Sequence, residues 1–536
     1  MPDIEVQVLI VGGSLVGLST ALFLADHGVR SLTVEHHPGT AIYPRAAQIY
    51  QRTMEIFRAV GIEQLALEKS EEQFVQDGAV MAVDTLAGKE LAWYVPNLNE
   101  GVRDVSPSVR VFLTQKLLEP LLKQRAEQSG AELRFGTDMV SFEQDAGGVT
   151  AIIKDGKSGR PSTVRAQYMV AADGSHSRVR EQLGIRLLGH GLLSNSITIY
   201  FRGRVGHLLR GRNLSVIYVY NDELTGFFRI EKPFDSGFLA VNSLGNPDRP
   251  NMDVWTGLTE ERCRDLVRIA LGVDDVPVTI ENVMKWQATA DWAERFHDGR
   301  VFLAGDAAHA MPPTGGFGGN AGVQDAHNLA WKLALVLNGV AGAELLATYD
   351  EERRPVGAFT VEQAYSRYVT RWARHLGTEG IQPIANDLDV DLGYRYRSAA
   401  LIADGPDDGL IVEPARETKG RPGTRAPHLV INHEGKTRST LDWFGRHFVM
   451  LAGPEGGAWL QHGPDAARAA GIKLDVHRLG DPSFAAAYGI TATGAVLVRP
   501  DGFVGWRAQT DTEASGSVVS RVLSAILAQR SVAAPQ

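Results

Sequence analysis

One segment near the start of the chain, VLIVGGSLVGLSTALFLADHGVRSLTVE (Val8 to Glu35), restricts the fold more than any other. Val6 to Val11 is a short β-branched run, as a strand buried in a parallel sheet should be. Gly12 and Gly13 permit a tight turn. Leu15 to His27 carries apolar residues at helical spacing and stops at Gly28, a natural C-cap. Ser31 to Glu35 reads as the next strand. Strand, glycine turn, helix and strand make a βαβ unit, which commits the chain to a parallel sheet with helices packed on it. The helix N-terminus, with its unpaired N–H groups and positive dipole end, is the place for a pyrophosphate. Glu35, about 20 residues past the glycines, stands where an acidic group binds a ribose hydroxyl. The middle glycine of the usual G-x-G-x-x-G pattern is Ser14 here. Serine stays small and adds a hydroxyl, which is expected to donate to a phosphate oxygen. Gly12, Gly13, Ser14, Leu15, Val16 and Gly17 therefore form the candidate dinucleotide loop.

Two further stretches repeat the theme. RVFLAGDAAHAMPPTGGFGGNAGVQDAHNLAWKLALVL (Arg300 to Leu337) reads as a buried strand ending at Gly305-Asp306, a loop rich in proline and glycine, and a long helix. A carboxylate at a strand end can bind the hydroxyls of a sugar chain. A glycine-rich loop lets backbone approach a flat ring, and the helix aims its positive end at that ring. This combination suits a flavin, with its ribityl chain on Asp306. YMVAADGSHSRVREQLG (Tyr168 to Gly184) is again a strand ending in Asp-Gly before a helix.

The chain has 536 residues, more than one hydrophobic core organises, so two or three domains are expected. Its net charge of −9 is spread without a basic block, which argues against nucleic acid as a partner. Cys263 is the only cysteine, so neither a disulfide framework nor a cysteine-based metal site is available. No apolar run approaches the roughly 18 residues that span a bilayer. Asp3 and Glu5 stand where a signal peptide carries basic residues, so a cytoplasmic protein is expected.

Together, these three pieces resemble the fingerprints of the para-hydroxybenzoate hydroxylase family of FAD-dependent aromatic monooxygenases: the glycine motif with Glu35, the Asp-Gly motif at Asp173 and Gly174 with Ser177 and Arg180, and Gly305-Asp306-Ala307-Ala308-His309 running on through Pro312-Pro313 to Gly318-Gly319-Asn320. YPRAAQIYQRTMEIFRAVG and VFLTQKLLEPLL resemble further family segments. GTRAPH and GAVLVRPDGFVGWR are similar to segments of the subgroup that tailors aromatic polyketides and degrades phenols. The resemblance implies an α/β fold: a Rossmann-like FAD-binding domain, an inserted β-sheet substrate domain and a C-terminal thioredoxin-like domain. It places the FAD domain at residues 1–75, 101–180 and 282–395, the substrate domain at 76–100 and 181–281, a linker at 396–427 and the last domain at 428–536. That last domain holds no cysteine, so its expected role is structural. The positions implied to contact FAD are Gly12 to Gly17, Glu35, His36, Arg45, Ala46, Gln115, Met139, Asp173, Gly305, Asp306, Pro313, Gly316, Gly318, Gly319 and Asn320.

The resemblance also implies the chemistry. NADPH, bound transiently on a surface without a fingerprint, reduces FAD; O₂ gives a C4a-hydroperoxyflavin; an electron-rich aromatic carbon takes the distal oxygen. The implied substrate is a polycyclic aromatic polyketide, an anthracyclinone such as aklavinone, hydroxylated at C-11. Tyr218, Tyr220 and Phe228 are candidate pocket walls, and Tyr220 and Arg374 are candidate catalytic residues. Arg367, Arg371 and Arg374 share a helix face that reads as solvated, and His309 is expected to order its loop. His36 and His37 lack the spacing of a metal site, and no metal is expected. A monomer or homodimer is expected. Baeyer–Villiger oxygen insertion on the same fold, and a non-catalytic flavoprotein scaffold, stay open as alternatives.

Overall fold

The computed structural model describes residues 2–43, 47–246, 248–433 and 435–529. The opening segment forms a strand Ile4–Val11, a helix Leu15–Asp26 and a strand Ser31–Glu35. Gly28 follows the helix at φ +77°, a left-handed conformation that glycine adopts without strain. Five parallel strands run in the order Val301–Leu303, Pro161–Ala171, Ile4–Val11, Ser31–Glu35, Glu132–Phe135. Val11 pairs with both Ala171 and Val34, and Ala171 pairs with Leu303. Four strand ends thus lie in one row, carrying Gly12, Glu35, Asp173 and Gly305-Asp306. Ligands of open α/β sheets bind at this carboxyl edge. The helices Leu15–Asp26 and Gly318–Leu337 cover the sheet and meet where Phe23 stands edge-on to His327, 5.3 Å between ring centres.

The second sheet has eight strands. Its centre is an antiparallel run of Thr279–Ala293, Leu187–Arg202, Ser236–Leu244, Leu224–Glu231 and Leu214–Tyr220, and the pair Ala79–Val83 and Glu90–Val95 extends it at one edge. The strand beginning at Thr279 keeps pairing with Leu187–Arg202 as far as Ala293, beyond residue 282 where the sequence placed the return to the FAD domain. One face packs on the helix Glu260–Leu271, which buries Cys263. The other face packs against Phe112, Tyr368 and Trp372.

The C-terminal sheet runs Leu474–Arg478, Phe448–Ala452, Ala495–Val498, Val504–Ala508, its first pair parallel and the others antiparallel. With the helices Gly457–Ala469 and Gly516–Ile526 this is the expected thioredoxin-like arrangement. Its core does not close on itself: Trp331, Ala341 and Leu345 of the flavin-side helices share one cluster with Trp459 and Trp506. Beside that cluster lies a buried charge network. Arg499 donates to both oxygens of Glu352 at 2.6 and 2.9 Å, and Lys332 donates to one of them at 2.9 Å. Asn328 donates to Glu352 at 2.7 Å, and Arg499 also pairs with Asp501. Burial would raise the Glu352 carboxyl, but Arg499 and Lys332 hold it well below the usual carboxylate range. Burial brings the Lys332 amine down to about 8 despite Glu352.

Removing one member leaves the others charged and dry. Glu352→Gln should therefore lower unfolding free energy by about 3–5 kcal/mol in a urea titration; an unchanged midpoint would show that the network does not stabilise the fold. Asp391 gives a pH-dependent counterpart. It accepts the Arg52 N–H at 2.9 Å and the Gln324 amide at 3.2 Å. Burial first, and Glu55 in addition, push its carboxyl up to about 7, with the Arg52 N–H opposing. The folded chain therefore keeps this proton to higher pH than the unfolded chain does. Its contribution is level below about pH 4, falls as pH climbs to about 7, and is level again above. The stability difference between Asp391→Asn and the parent should move in favour of the variant across that window, read as denaturation midpoints at several pH values.

Candidate active site

At the carboxyl edge of the first sheet, backbone sits where side chains cannot. A Cβ on Gly12 (φ +102°) would lie 2.2 Å from the Ala172 carbonyl, and one on Gly17 would lie 1.8 Å from the Gly12 carbonyl. Glu35 accepts the Gly13 N–H at 2.7 Å and the His37 N–H at 2.8 Å, which locks the turn to the second strand. Ser14 does not match the expectation of a phosphate donor. Its hydroxyl donates to Glu119 at 2.6 Å, and the same carboxylate accepts the N–H of Leu15 at 3.1 Å and of Ala41 at 2.7 Å. The hydroxyl thus ties the helix start to the helix Gln115–Gln128. The partner is 105 residues away in the chain. Leu15 is buried, and Val16 packs against Gly305 and Gly322.

The other two turns are held from behind. Asp325, wholly buried, accepts the Gly305 N–H at 3.0 Å and lies 2.7 Å from His309 Nε2 and from Arg353 Nε. His309 therefore orders its loop. Asp306, next to Gly305, is exposed at the strand end. Asn320 accepts the Tyr50 N–H at 2.8 Å and donates to the carbonyls of Gln48 at 2.8 Å and Gly316 at 2.9 Å. Pro313 is exposed, and Gly316, Gly318 and Gly319 are half-buried along the same loop. Asp173 accepts the Val179 N–H at 3.3 Å, while its Oδ1 is buried without a hydrogen-bond partner. Burial raises its carboxyl above the usual range. Gln115 opens its helix half-buried, and Met139 is buried in the strand Thr137–Asp145. Arg45 and Ala46 lie outside the described residues. His36 is exposed, with Nδ1 3.1 Å from Glu35. Glu35, His36 and His37 bring three possible ligand atoms within 4.8 Å of one another, but both Glu35 oxygens already accept backbone N–H groups.

Aromatic side chains of the second sheet pack with Tyr368 and Trp372, at the end of the helix Thr348–Arg371, into an aromatic cage. Tyr218 and Tyr220 share a strand face with their rings 6.1 Å apart. Phe227 stacks on Trp372 at 5.8 Å, and Tyr94 meets Tyr218 edge-on at 5.8 Å. The Tyr220 hydroxyl is buried without a hydrogen-bond partner. Burial, then Tyr218 and Tyr94, push its pKa well above the usual phenol value, so it is a donor and not a base. Two expectations are corrected. Phe228 points away from the cage into the core under the helix Glu260–Leu271, because neighbours in a strand face opposite ways; Phe227 takes the place in the cage. Arg374 is exposed, donating to the Thr370 carbonyl, because the helix ends at Arg371 and its spacing no longer applies. The other two arginines of that face are not solvated. Arg367 is buried on Asp387 at 2.8 Å, and Arg371 is half-buried with its guanidinium 5.7 Å from the Tyr94 ring. Asp325, Glu119 and Trp372 were missed in the sequence, since each acts through contacts distant in the chain.

Residues 5–364 match the FAD binding domain family, and residues 419–529 match the aromatic-ring hydroxylase C-terminal family. The chain belongs to the FAD-dependent aromatic-ring hydroxylases. Over 98% of both chains it is 50% identical to the 4-methyl-5-nitrocatechol 5-monooxygenase of a Burkholderia species. It is 38% identical, over 98% of both chains, to the tetracenomycin A2 monooxygenase-dioxygenase of Streptomyces glaucescens. Among solved structures, aklavinone-11 hydroxylase in complex with FAD and aklavinone superposes with a TM-score of 0.91 at 36% identity, covering 99% of this chain and 100% of that one. The residues of this hydroxylase fit FAD: Asp173 Oδ1 awaits a donor, Gly12 and Gly17 leave a cradle that a Cβ would fill, and Asp306 faces outward from its strand end. No helix among the described residues is long and apolar enough to cross a membrane.

If Ser14 and Glu119 act as one unit on the FAD loop, Ser14→Ala and Glu119→Gln should each weaken FAD binding, and the double variant should lose less than the sum. A coupling of about 0.5–3 kcal/mol is expected from flavin fluorescence titrations of the four proteins. Strict additivity would show that the hydroxyl acts elsewhere.

Proposed function

We propose that this hydroxylase uses NAD(P)H and O₂ to hydroxylate a phenolic ring held in the Tyr218–Tyr220–Phe227–Trp372 cage. The observation that carries this reading is that the Gly315–Asn320 loop and the cage share one helix: Thr314 donates to the Ala364 carbonyl at 2.7 Å, Arg367 lies 5.1 Å from the Phe317 ring, and Tyr368 meets Trp372 edge-on at 5.7 Å. Reduced FAD supplies the activated oxygen when bound. The chain's own residues do the rest. Aromatic faces sandwich the ring, with contacts worth about 0.5–1.5 kcal/mol each beyond burial. Tyr220, held protonated, donates to a ring oxygen. Trp372 and Tyr94 keep water from the reacting carbon.

For the substrate, the 50% identity to the nitrocatechol enzyme favours a single-ring catechol or phenol. A tetracyclic polyketide such as aklavinone is the second reading, favoured by the superposition on the aklavinone complex. The test is NADPH oxidation and incorporation of label from ¹⁸O₂, with 4-methyl-5-nitrocatechol, resorcinol, para-hydroxybenzoate and aklavinone run side by side. Label in a single-ring product is the expected result. Label in aklavinone alone would select the second reading. Oxidation of NADPH without label in any product would defeat the monooxygenase reading. Tyr220→Phe should lower turnover while leaving FAD content unchanged, by about tenfold for the loss of one hydrogen bond to an ionised oxygen.

A further inference from the structure

Arg229 has no use in anything described above. It lies in the strand Leu224–Glu231, two residues after Phe227, and so points into the same space. The residue is only 5% exposed. Its guanidinium sits 3.9 Å from the centre of the Phe112 ring and 5.8 Å from that of Phe74. Its Nη1 is buried without a hydrogen-bond partner, and no ion pair joins it to a described carboxylate. Other arginines buried as deeply have partners: Arg52, Arg353, Arg367, Arg425 and Arg499 each pair with an Asp or Glu, and Arg180 donates to the carbonyls of Ala307 and Ser175. An unpaired buried charge is among the most destabilising features a fold can carry. Aromatic faces attract the cation but cannot replace an anion.

The location says what is missing. Phe112 pairs with Gln48, and Gln48 touches Gly316 of the flavin loop, where a Cβ would lie 3.1 Å from its side chain. Arg229 therefore stands at the flavin end of the cage, with Tyr218 on the neighbouring strand. Burial lowers its pKa to about 9, which leaves it a cation at neutral pH.

We propose that Arg229 binds an ionised ring oxygen of the substrate, making an acidic phenol or catechol, taken up as its anion, the class this enzyme selects. The inference rests on the ring-hydroxylase reading and deepens it. Hydroxylation needs an electron-rich carbon, and an ionised ring oxygen donates strongly to the carbons ortho and para to it. A guanidinium in a low-dielectric pocket favours that ionised form, with the proton released to solvent. It also discriminates against phenols that stay neutral, since these leave the charge unpaired.

The experiment is ligand binding to the FAD-loaded enzyme without NADPH, so that no turnover is needed. The probes are 4-nitrocatechol, whose ionisation is visible in its own spectrum, catechol, and 4-hydroxybenzoate, whose charge is on a carboxylate. At a pH below the ionisation of free 4-nitrocatechol, binding to the parent enzyme should shift its spectrum to the ionised form. R229M, with FAD content and melting temperature checked, should abolish that shift and weaken 4-nitrocatechol by about ten- to a hundredfold, with catechol unaffected. R229Q, which keeps donors without charge, should bind 4-nitrocatechol with its proton retained. The proposal is overturned if the parent binds the neutral form, or if either variant keeps both shift and affinity. Tighter binding of 4-hydroxybenzoate, lost in R229M, would move the site to a carboxylate and overturn the ring-oxygen assignment. Failure to incorporate ¹⁸O with any phenol would defeat the hydroxylase reading while leaving these binding results to stand or fall alone.

Discussion

Two adjacent residues of one helix, Glu352 and Arg353, connect everything else. Glu352 points to the C-terminal domain and holds Arg499, Lys332 and Asn328. Arg353 points to the flavin edge and holds Asp325, which in turn fixes Gly305 and His309. Opposite charges at consecutive positions on a buried helix are tolerated only because each is fully answered by a partner. The arrangement makes the cysteine-free domain part of the flavin site's foundation. Arg425 repeats the pattern on another side, donating to both oxygens of Glu55 at 2.9 and 2.6 Å, where Ser106 also donates.

The flavin edge is built on the same logic. Two of its turns are anchored by carboxylates standing behind them: Glu119 behind Ser14 and Leu15 with Glu35 behind Gly13, and Asp325 behind Gly305. Their oxygens accept N–H and O–H groups of the turns. The turns are thus set before the ligand arrives, which reduces the ordering that binding must supply.

Much of this frame was legible in the sequence, for physical reasons. Strand, glycine turn, helix and C-cap are local, and Gly12, Gly28 and Glu35 declare themselves within one segment. What was not legible depends on contacts far apart in the chain. Ser14 was visible as an anomaly, but its partner Glu119 could not be found by spacing. The aromatic pair Phe227-Phe228 announced a strand with one ring on each face; only the sheet's neighbours decide which face meets the substrate. Arg371 and Arg374 were separated by a helix end that no capping residue marks. Arg229 had a signal, a charged residue between Phe228 and Ile230 in the strand, and a strict reading of alternation from Phe227 would have singled it out.

The turn at Asp501-Gly502 carries a consequence for the order of events in the cell. It sits against Arg52 and delivers Arg499 and Asp501 to Glu352 and Lys332, yet Arg499 lies 147 residues after Glu352. A ribosome finishes the whole flavin-binding half long before it makes the charges that half needs in its interior. Among residues made earlier, Glu352 is left with Lys332, the Asn328 amide and the Ser398 hydroxyl. The charge network beneath the flavin-binding half is therefore complete only once residues 499–501 have been added.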